Sequence, residues 1–321
     1  MDDMAVTSKH ASDITKFKRE IQEHFMIADG GKLCWFLGFE IKCDQTVWTV
    51  SINQQSYIER MVEKFRLTNL KPVAAPREPD THFSQNQSPL TLSQQFQMQD
   101  IPYAQAISSV LWPVVISRPD AAFAVGILSQ FVQNLGQAHW EGVKRLITYL
   151  GTTKDLWLMF SGQEKTILKG FCDADWAGQP HRHSISGYSF HMGAGAITWS
   201  SKKQYIVAFS SAEVEYIAQT HTMKEAMYLH MFLGEINRFD KPVTLKCDNQ
   251  RVIALSKDNK FHAWTKHIDI QYHFIQEVVE NEKISIKYVP TDKNTADIFT
   301  KPLPKAKFHH FVELLGLKPL I

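Results

Sequence analysis

One short run limits what this chain can fold into more than any other, because it places a carboxylate inside a strand. Residues 167–172 (ILKGFC) have the apolar character of a strand, and Asp173 continues the same run. Successive side chains of a strand point to opposite faces, so Cys172 and Asp173 face opposite sides of a sheet. A carboxylate in such a place requires a partner charge, a cap or a metal ion. We therefore expect Asp173 to meet other charged groups.

The pattern around this run predicts an α/β fold. Strand-like runs cover 156–160, 168–175, 186–192, 196–201, 243–247 and 284–289, and helical runs cover 211–233, a short stretch after Asp248, 268–280 and a stretch opening near Asn294. Strands that alternate with helices indicate a mixed sheet with helices packed on it.

The first half of the chain predicts a separate region. Asp13 is the expected N-cap of a first helix. The runs 32–42 and 46–52 are expected to be two strands joined by a hairpin at 43–45. A helix with its apolar face at 57–65 follows, and 71–100, rich in Pro, Gln and Ser, is expected to be a linker. Three more helices are predicted at 103–117, 119–133 and 137–150.

Composition excludes several classes of protein. An apolar fraction of 44% is enough for sizeable cores, and a net charge of +2 means that any nucleic-acid-binding surface must be local. The four cysteines form no CxxC pair, which disfavours a zinc site and a secreted scaffold. The N-terminus resembles no signal peptide, and no run of about eighteen apolar residues occurs. We expect an intracellular protein of the cytoplasm or nucleus that neither spans a membrane nor is secreted.

Three further acids are expected to converge on Asp173. Asp248 ends the run 244–247 with the same Cys–Asp order, Glu215 lies in the first turns of the long helix, and Asp297 begins the last helix. Carboxylates gathered in this way repel each other unless a divalent cation lies among them. Two Mg²⁺ ions about 4 Å apart suit attack of water on a phosphodiester. Taken singly, each acid has a structural alternative: a helix cap for Asp248, a dipole complement for Asp297 and a solvated side chain for Glu215.

The residues around these acids resemble a known family. The runs are CDADWAG (172–178), SISGYSF (184–190), ITWSSKKQ (197–204), SSAEVEYIA (210–218), KCDN (246–249), TKHIDIQYHFI (265–275) and PTDKNTADIFTKPL (290–303). They resemble the ribonuclease H domain of copia-type retrotransposon Pol polyproteins. Upstream, KLCWFLGFEI (32–41), SRPDAAFAV (117–125) and HWEGVKRLITYL (139–150) are similar to the end of the reverse transcriptase palm and the connecting helices.

The resemblance implies a fold and a division into domains. It implies a ribonuclease H-like mixed five-stranded sheet flanked by helices, preceded by a truncated reverse transcriptase palm and a helical connection. The expected boundaries are a palm remnant at 1–75, a linker with the thumb or connection helices at 76–160, a ribonuclease H domain at 161–303 and a helical tail at 304–321.

The resemblance also implies an activity: Mg²⁺-dependent cleavage of the RNA strand of RNA–DNA hybrids during retrotransposon reverse transcription. Two Mg²⁺ ions are the expected cofactors, with Mn²⁺ as a substitute, and the upstream part of the polyprotein is a second expected partner besides the hybrid. The alternative is a catalytically silent relic or a non-enzymatic nucleic-acid-binding module.

The acidic site residues follow from the same resemblance, and the basic ones from their position near the proposed site. Asp173, Glu215, Asp248 and Asp297 take the places of the four metal-binding, catalytic acids, with Glu213 as the alternative to Glu215. Four basic residues are expected to hold phosphates of the hybrid, although ordinary solvated side chains are the alternative for each of them. They are Lys202, Lys203, Lys266 and His267.

The first residues resemble the end of a polymerase motif. Asp2 and Asp3 are similar to the acids of the Tyr-x-Asp-Asp box. The third polymerase carboxylate would lie upstream, and a two-metal polymerase site needs it. We therefore expect these two acids to be an inactive remnant and the chain to lack DNA synthesis.

Overall fold

The computed structural model describes residues 3–68, 71–163, 167–176, 183–208, 210–237, 241–250, 253 and 266–320, without the side chains of 237 and 266–272. The helices are α1 (Ala11–Gln22), α2 (Gln55–Lys64), α3 (Leu92–Met98), α4 (Tyr103–Ile116), α5 (Ala122–Leu128), α6 (Gln137–Thr152), α7 (Ser211–Asn237), α8 (Lys266–Glu280) and α9 (Lys305–Leu314). The strands are β1 (Trp35–Phe36), β2 (Phe39–Asp44), β3 (Thr49–Asn53), β4 (Leu156–Ser161), β5 (Lys169–Asp175), β6 (Ile185–Met192), β7 (Gly195–Lys203), β8 (Val243–Cys247), β9 (Ile284–Tyr288) and β10 (Leu317–Pro319).

The first sheet has the strand order β1-β2-β3-β4-β10, and its pairs are antiparallel. A large core joins this sheet to α2, α4, α5, α6 and α9. The last helix and strand belong to this unit, because Phe308 and Phe311 are buried in its core and Leu317 pairs with Leu158 on β4. The C-terminal strand β10 is therefore the edge strand of the first sheet, at the end opposite β1.

Several predicted boundaries in the first half are wrong. The run 32–42 is a tight hairpin, because Leu37 and Gly38 take φ values of 47° and 83° and reverse the chain. The turn predicted at 43–45 lies at 45–48, after Asp44, whose carboxylate accepts a hydrogen bond from the Thr46 amide. A glycine inside an apolar run was the available signal for the earlier turn.

Helix ends were also misplaced. The N-cap of α1 is His10, and Asp13 lies in the first turn of the helix, where it accepts a hydrogen bond from Ser8 Oγ. The predicted linker contains α3, capped by the Thr91 side chain. The helix predicted near Asn294 is a pair of short 3₁₀ turns. The helix predicted after Asp248 lies almost entirely outside the described residues.

The second sheet has the strand order β7-β6-β5-β8-β9. β5 is antiparallel to β6 and β6 to β7, whereas β8 runs parallel to both β5 and β9. This arrangement is the ribonuclease H-like α/β fold that the sequence predicted. The expected alternation is confirmed, because Cys172 and Cys247 are both buried in the core that joins the sheet to α7 and α8.

The opposite face of this sheet carries Asp173 and Asp248, which directly follow these two cysteines in the chain. The 3₁₀ turn Thr295–Phe299 lies against β6 so closely that a Cβ at Gly187 would be 2.6 Å from Thr300 and 2.8 Å from Phe299. Ile298 and Phe299 are buried in the first core, with residues of α4, α5 and α6. The segment that carries Asp297 is thus held between the second sheet and the first core. Within the described part of the chain, no helix combines the length and apolarity needed to cross a bilayer.

Candidate active site

Three aspartates meet at one end of the second sheet. Register pairs Phe171 with Lys246, so Asp173 and Asp248 come side by side two residues further along the parallel strands β5 and β8. Asp297 reaches the same place from the 3₁₀ turn. One carboxylate oxygen of each aspartate lies within 4.8 Å of the others. Asp173 and Asp297 are buried, and Asp248 is half-buried. Because their oxygens lie so close together, these three aspartates form the cluster among the described residues that could hold a metal ion.

The segment from Thr291 to Lys301 fixes these carboxylates. Thr291 Oγ1 donates a 2.8 Å hydrogen bond to Asp248 Oδ2, and Thr300 Oγ1 donates one to Asp173 Oδ2. Asn294 Nδ2 donates to the Cys172 carbonyl oxygen at 3.0 Å, which ties the segment to the backbone of β5. The geometry of the triad is therefore set by hydrogen bonds from a single stretch of chain.

Two lysines supply positive charge. Lys301 Nζ lies 3.3 Å from Asp173 Oδ2 and 3.0 Å from Asp297 Oδ1, and Lys307 Nζ lies 2.6 Å from Asp297 Oδ2. Asp297 Oδ1 is buried and accepts no well-aligned hydrogen bond from the described residues, although Lys301 is close. A buried carboxylate oxygen of this kind is available as a ligand, and oxygen is the donor that Mg²⁺ prefers. The residues present fit a divalent ion.

Burial and mutual repulsion disturb the titration of the cluster. Burial, followed by the charge of Asp173, raises the pKa of Asp297 to about 6, although Lys301 and Lys307 oppose the change. Burial opposes the charged form of Lys301, but Asp173 and Asp297 outweigh it and raise the pKa of that lysine. The charge of Asp173 contributes to both shifts, because it disfavours the ionised form of Asp297 and favours the charged form of Lys301. Asp175 also has a raised pKa, mainly because it is partly buried.

Glu215 lies beside the triad without belonging to it. Burial raises the pKa of Glu215 well above its ordinary value, and the charges of Asp173, Cys247 and Asp248 raise it further, whereas a hydrogen bond from Asn249 lowers it. Glu213, the alternative, is buried in the first turn of α7, where its amide donates to Ser210 Oγ. Glu215 interacts electrostatically with Asp173 and Asp248, and its role as the fourth acid stays a prediction.

The other predicted site residues lie in varied surroundings. Lys202 is exposed at the end of β7 with Nζ over the Tyr205 ring, and Lys203 Nζ donates to Gln130 Oε1 at 3.2 Å. The side chains of Lys266 and His267 lie outside the described residues, as does the whole of Asp2, and Asp3 is exposed.

Sequence reasoning missed the residues that hold the acids in place. Of these, Lys301 had a detectable signal, because it stands four residues after Asp297 and a helical turn brings such positions together. The others make contacts across more than forty positions of sequence or depend on how α9 folds back, so no local pattern marks them. They are Thr291, Asn294, Thr300 and Lys307.

Known proteins with similar sequences match nearly the whole chain. The Retrovirus-related Pol polyprotein from transposon TNT 1-94 of Nicotiana tabacum is 41% identical over 319 residues, which is 99% of this chain and 24% of that protein. The corresponding polyprotein from transposon RE1 of Arabidopsis thaliana is 30% identical over the same share of this chain and 21% of its own length. The chain belongs to the copia-type retrotransposon Pol family. It spans about a quarter of the length of these relatives.

Residues 1–79 of this Pol-family chain match the family described as Reverse transcriptase (RNA-dependent DNA polymerase). Among solved structures, the N-terminal RNase H domain of a Mycobacterium tuberculosis protein covers 46% of this chain and 98% of its own, at 14% identity and a TM-score of 0.33. The strand order of the second sheet identifies the fold independently of this low score.

Proposed function

We propose that this chain hydrolyses the RNA strand of RNA–DNA hybrids, with two Mg²⁺ ions that Mn²⁺ can replace, in retrotransposon reverse transcription. The observation that carries the proposal is the triad Asp173, Asp248 and Asp297, whose oxygens lie within 4.8 Å of one another at the ends of two parallel strands and a 3₁₀ turn. Membership of the Pol family supports the same class of reaction.

The three aspartates and Glu215 would hold the ions, which when bound would activate water and stabilise the leaving oxygen of the phosphodiester. The chain's own residues prepare this arrangement. Thr291 and Thr300 orient the carboxylates of Asp248 and Asp173. The raised pKa values of Asp297 and Glu215 mean that both groups retain a proton more readily than an exposed acid, until a cation favours its release.

The hybrid would bind at the end of the second sheet where the three aspartates meet. Lys202 and Lys203 are our proposed phosphate contacts, since Lys202 is exposed and Lys203 is held by Gln130 at the end of β7. We keep 161–303 as the proposed ribonuclease H unit, and 304–321 as a part that packs on the first sheet. Asp3 belongs to no metal-ligating cluster among the described residues, so no role is assigned to it.

Cleavage of a hybrid labelled on both strands tests this proposal, with Mg²⁺ or with a chelator. The wild-type chain should cut the RNA strand alone, and only with the metal ion. Asp173→Asn should abolish cutting because it removes a charged ligand. Asp292→Asn is the matched control, since Asp292 is an exposed acid in the same segment, and it should cut normally.

Tight binding of the hybrid by wild type without any cutting would contradict the enzymatic proposal. It would instead favour the alternative hypothesis, in which the protein binds nucleic acid but has no catalytic activity. Equal cutting by wild type and Asp173→Asn would overturn the assignment of the site.

A further inference from the structure

Lys301 is the charged group placed between two acids of the cluster. Its Nζ is 3.3 Å from Asp173 Oδ2 and 3.0 Å from Asp297 Oδ1, whereas Lys307 pairs with Asp297 but not with Asp173 or Asp248. Two-thirds of the Lys301 side chain is removed from solvent. A cation held at this distance from two buried carboxylates interacts with them more strongly than a surface lysine would.

The backbone on either side fixes where this lysine begins. The Lys301 amide donates to the Asp297 carbonyl oxygen at 3.3 Å, and the Oγ1 of neighbouring Thr300 bonds to Asp173. Phe299, two residues earlier, is fully buried in the first core. Only the side chain beyond Cα is free to move, so Lys301 stays within reach of the cluster whatever binds there.

We propose that Lys301 is a resident cation of the acid cluster, which holds Asp173 and Asp297 together and competes with a divalent ion for their oxygens. It is a positioning residue, and binding of a metal ion displaces at least one of its two contacts. The inference rests on the proposed function, because it assumes that the cluster receives a divalent ion.

The competition has two measurable consequences of opposite sign. Without Lys301 the cluster is more negative and has one competitor fewer, so Mg²⁺ should bind more tightly. The same change leaves the carboxylates less well neutralised, so the metal-free protein should be less stable. A lysine that served only to stabilise the fold would lower stability without tightening the binding of the metal ion.

Calorimetric titration of the full chain with Mg²⁺, in the absence of nucleic acid, measures the first consequence. For Lys301→Met we expect the Kd for Mg²⁺ to fall about tenfold. A larger change is not expected, because one-third of the Lys301 side chain is exposed and water and salt screen its charge. Lys301→Arg keeps the charge and should bind Mg²⁺ like wild type. Lys305→Met is the control, since Lys305 is an exposed lysine of the same segment and should leave the Kd unchanged.

Melting of the same proteins measures the second consequence. Lys301→Met should melt below wild type in chelator and gain more from saturating Mg²⁺ than wild type does. Lys307→Met should show the same pattern more weakly, because Lys307 contacts one acid of the cluster. Lys301→Gln, which keeps a polar head group, gives the same comparison should the methionine variant not fold.

A Kd for Mg²⁺ that is unchanged or higher in both Lys301→Met and Lys301→Gln would overturn the inference. The test is separable from that of the proposed function. If the hybrid is not cut but Mg²⁺ binds more tightly without Lys301, the inference stands and the enzymatic proposal falls. If the hybrid is cut and substitution of Lys301 does not change the Kd for Mg²⁺, the enzymatic proposal stands and the inference falls.

Discussion

Two buried clusters of charged residues in this molecule differ in whether their positive and negative charges balance and their hydrogen bonds are all made. In the first core, the Arg118 guanidinium donates two hydrogen bonds to Asp120, at 3.0 Å and 2.7 Å, and two more to the carbonyl and hydroxyl oxygens of Thr153. The Tyr149 hydroxyl donates to the same carboxylate. One positive and one negative charge balance, and both side chains are almost fully buried.

The cluster on the second sheet is not balanced. Among the described residues, Lys301 and Lys307 are the lysines paired with the three aspartates, and Glu215 adds a fourth carboxylate beside them. In the same part of the chain, no well-aligned hydrogen bond reaches the buried Asp297 Oδ1. The pKa of Asp297 is raised in spite of both lysines.

The difference separates a structural role from a functional one. An ion pair whose charges balance and whose hydrogen bonds are complete does not need a ligand. This pair joins the turn between α4 and α5 to the end of α6. An excess of carboxylates with perturbed pKa values is the arrangement expected where a cation is to bind. Both clusters are buried, so burial does not distinguish them. They differ in the balance of positive and negative charge and in the completeness of their hydrogen bonds.

The largest effect on stability should come from breaking the balanced pair. Arg118→Met leaves Asp120 charged and buried without its main partner, so the free energy of unfolding should fall by about 3–5 kcal/mol. Urea denaturation with and without Mg²⁺ measures it, and Mg²⁺ should not restore the loss. Recovery with Mg²⁺ would mean that this pair, too, is linked to a metal site and that the distinction is false.

A smaller effect should appear in the pH dependence of the unbalanced cluster. The pKa of Asp297 is about 6 in the folded protein, above the value for an unfolded chain. The folded protein therefore holds the proton more tightly, and the stability this provides is complete below pH ~4 and is lost as the pH rises through about 6. In chelator, wild type should lose about 2–3 kcal/mol relative to Asp297→Asn across this window.

Urea denaturation of both proteins at a series of pH values gives this difference, and Asp292→Asn serves as the control because its acid is exposed. A wild type that shows no loss relative to Asp297→Asn between pH 4 and 6, and that gains stability as the pH rises towards 4, would show that the lysines hold the pKa of the Asp297 carboxyl below its unfolded value. The cluster would then be balanced in the same sense as the Arg118–Asp120 pair.

How much the sequence could predict differed between the two sheets. Around Asp173 and Asp248, alternation along two strands with the same Cys–Asp order was enough to place both thiols in the core and both carboxylates on the other face. In the first sheet, Gly38 was a local signal for the hairpin, whereas the pairing of Leu317 with Leu158 depends on contacts between distant segments. Local patterns do not record such contacts.

The same limit applies inside the site. Asp173 and Asp248 were visible because an acid at the end of an apolar run is unusual, and Glu215 and Asp297 were assigned through the family resemblance. Thr291 and Thr300 are ordinary polar residues in a polar stretch. Their hydrogen bonds to Asp248 and Asp173 join positions 43 and 127 residues apart. Lys301 fell between these cases, since its spacing from Asp297 was visible but its contact with Asp173 was not.

The central claim is that the three aspartates form a divalent metal site, and anomalous diffraction from crystals containing Mn²⁺ tests it most directly. The account predicts an anomalous peak about 2.0–2.2 Å from oxygens of Asp173, Asp248 and Asp297, with a second peak about 4 Å away when both ions are bound. Crystals in which Mn²⁺ saturates other surfaces and leaves no peak at these three carboxylates would contradict it.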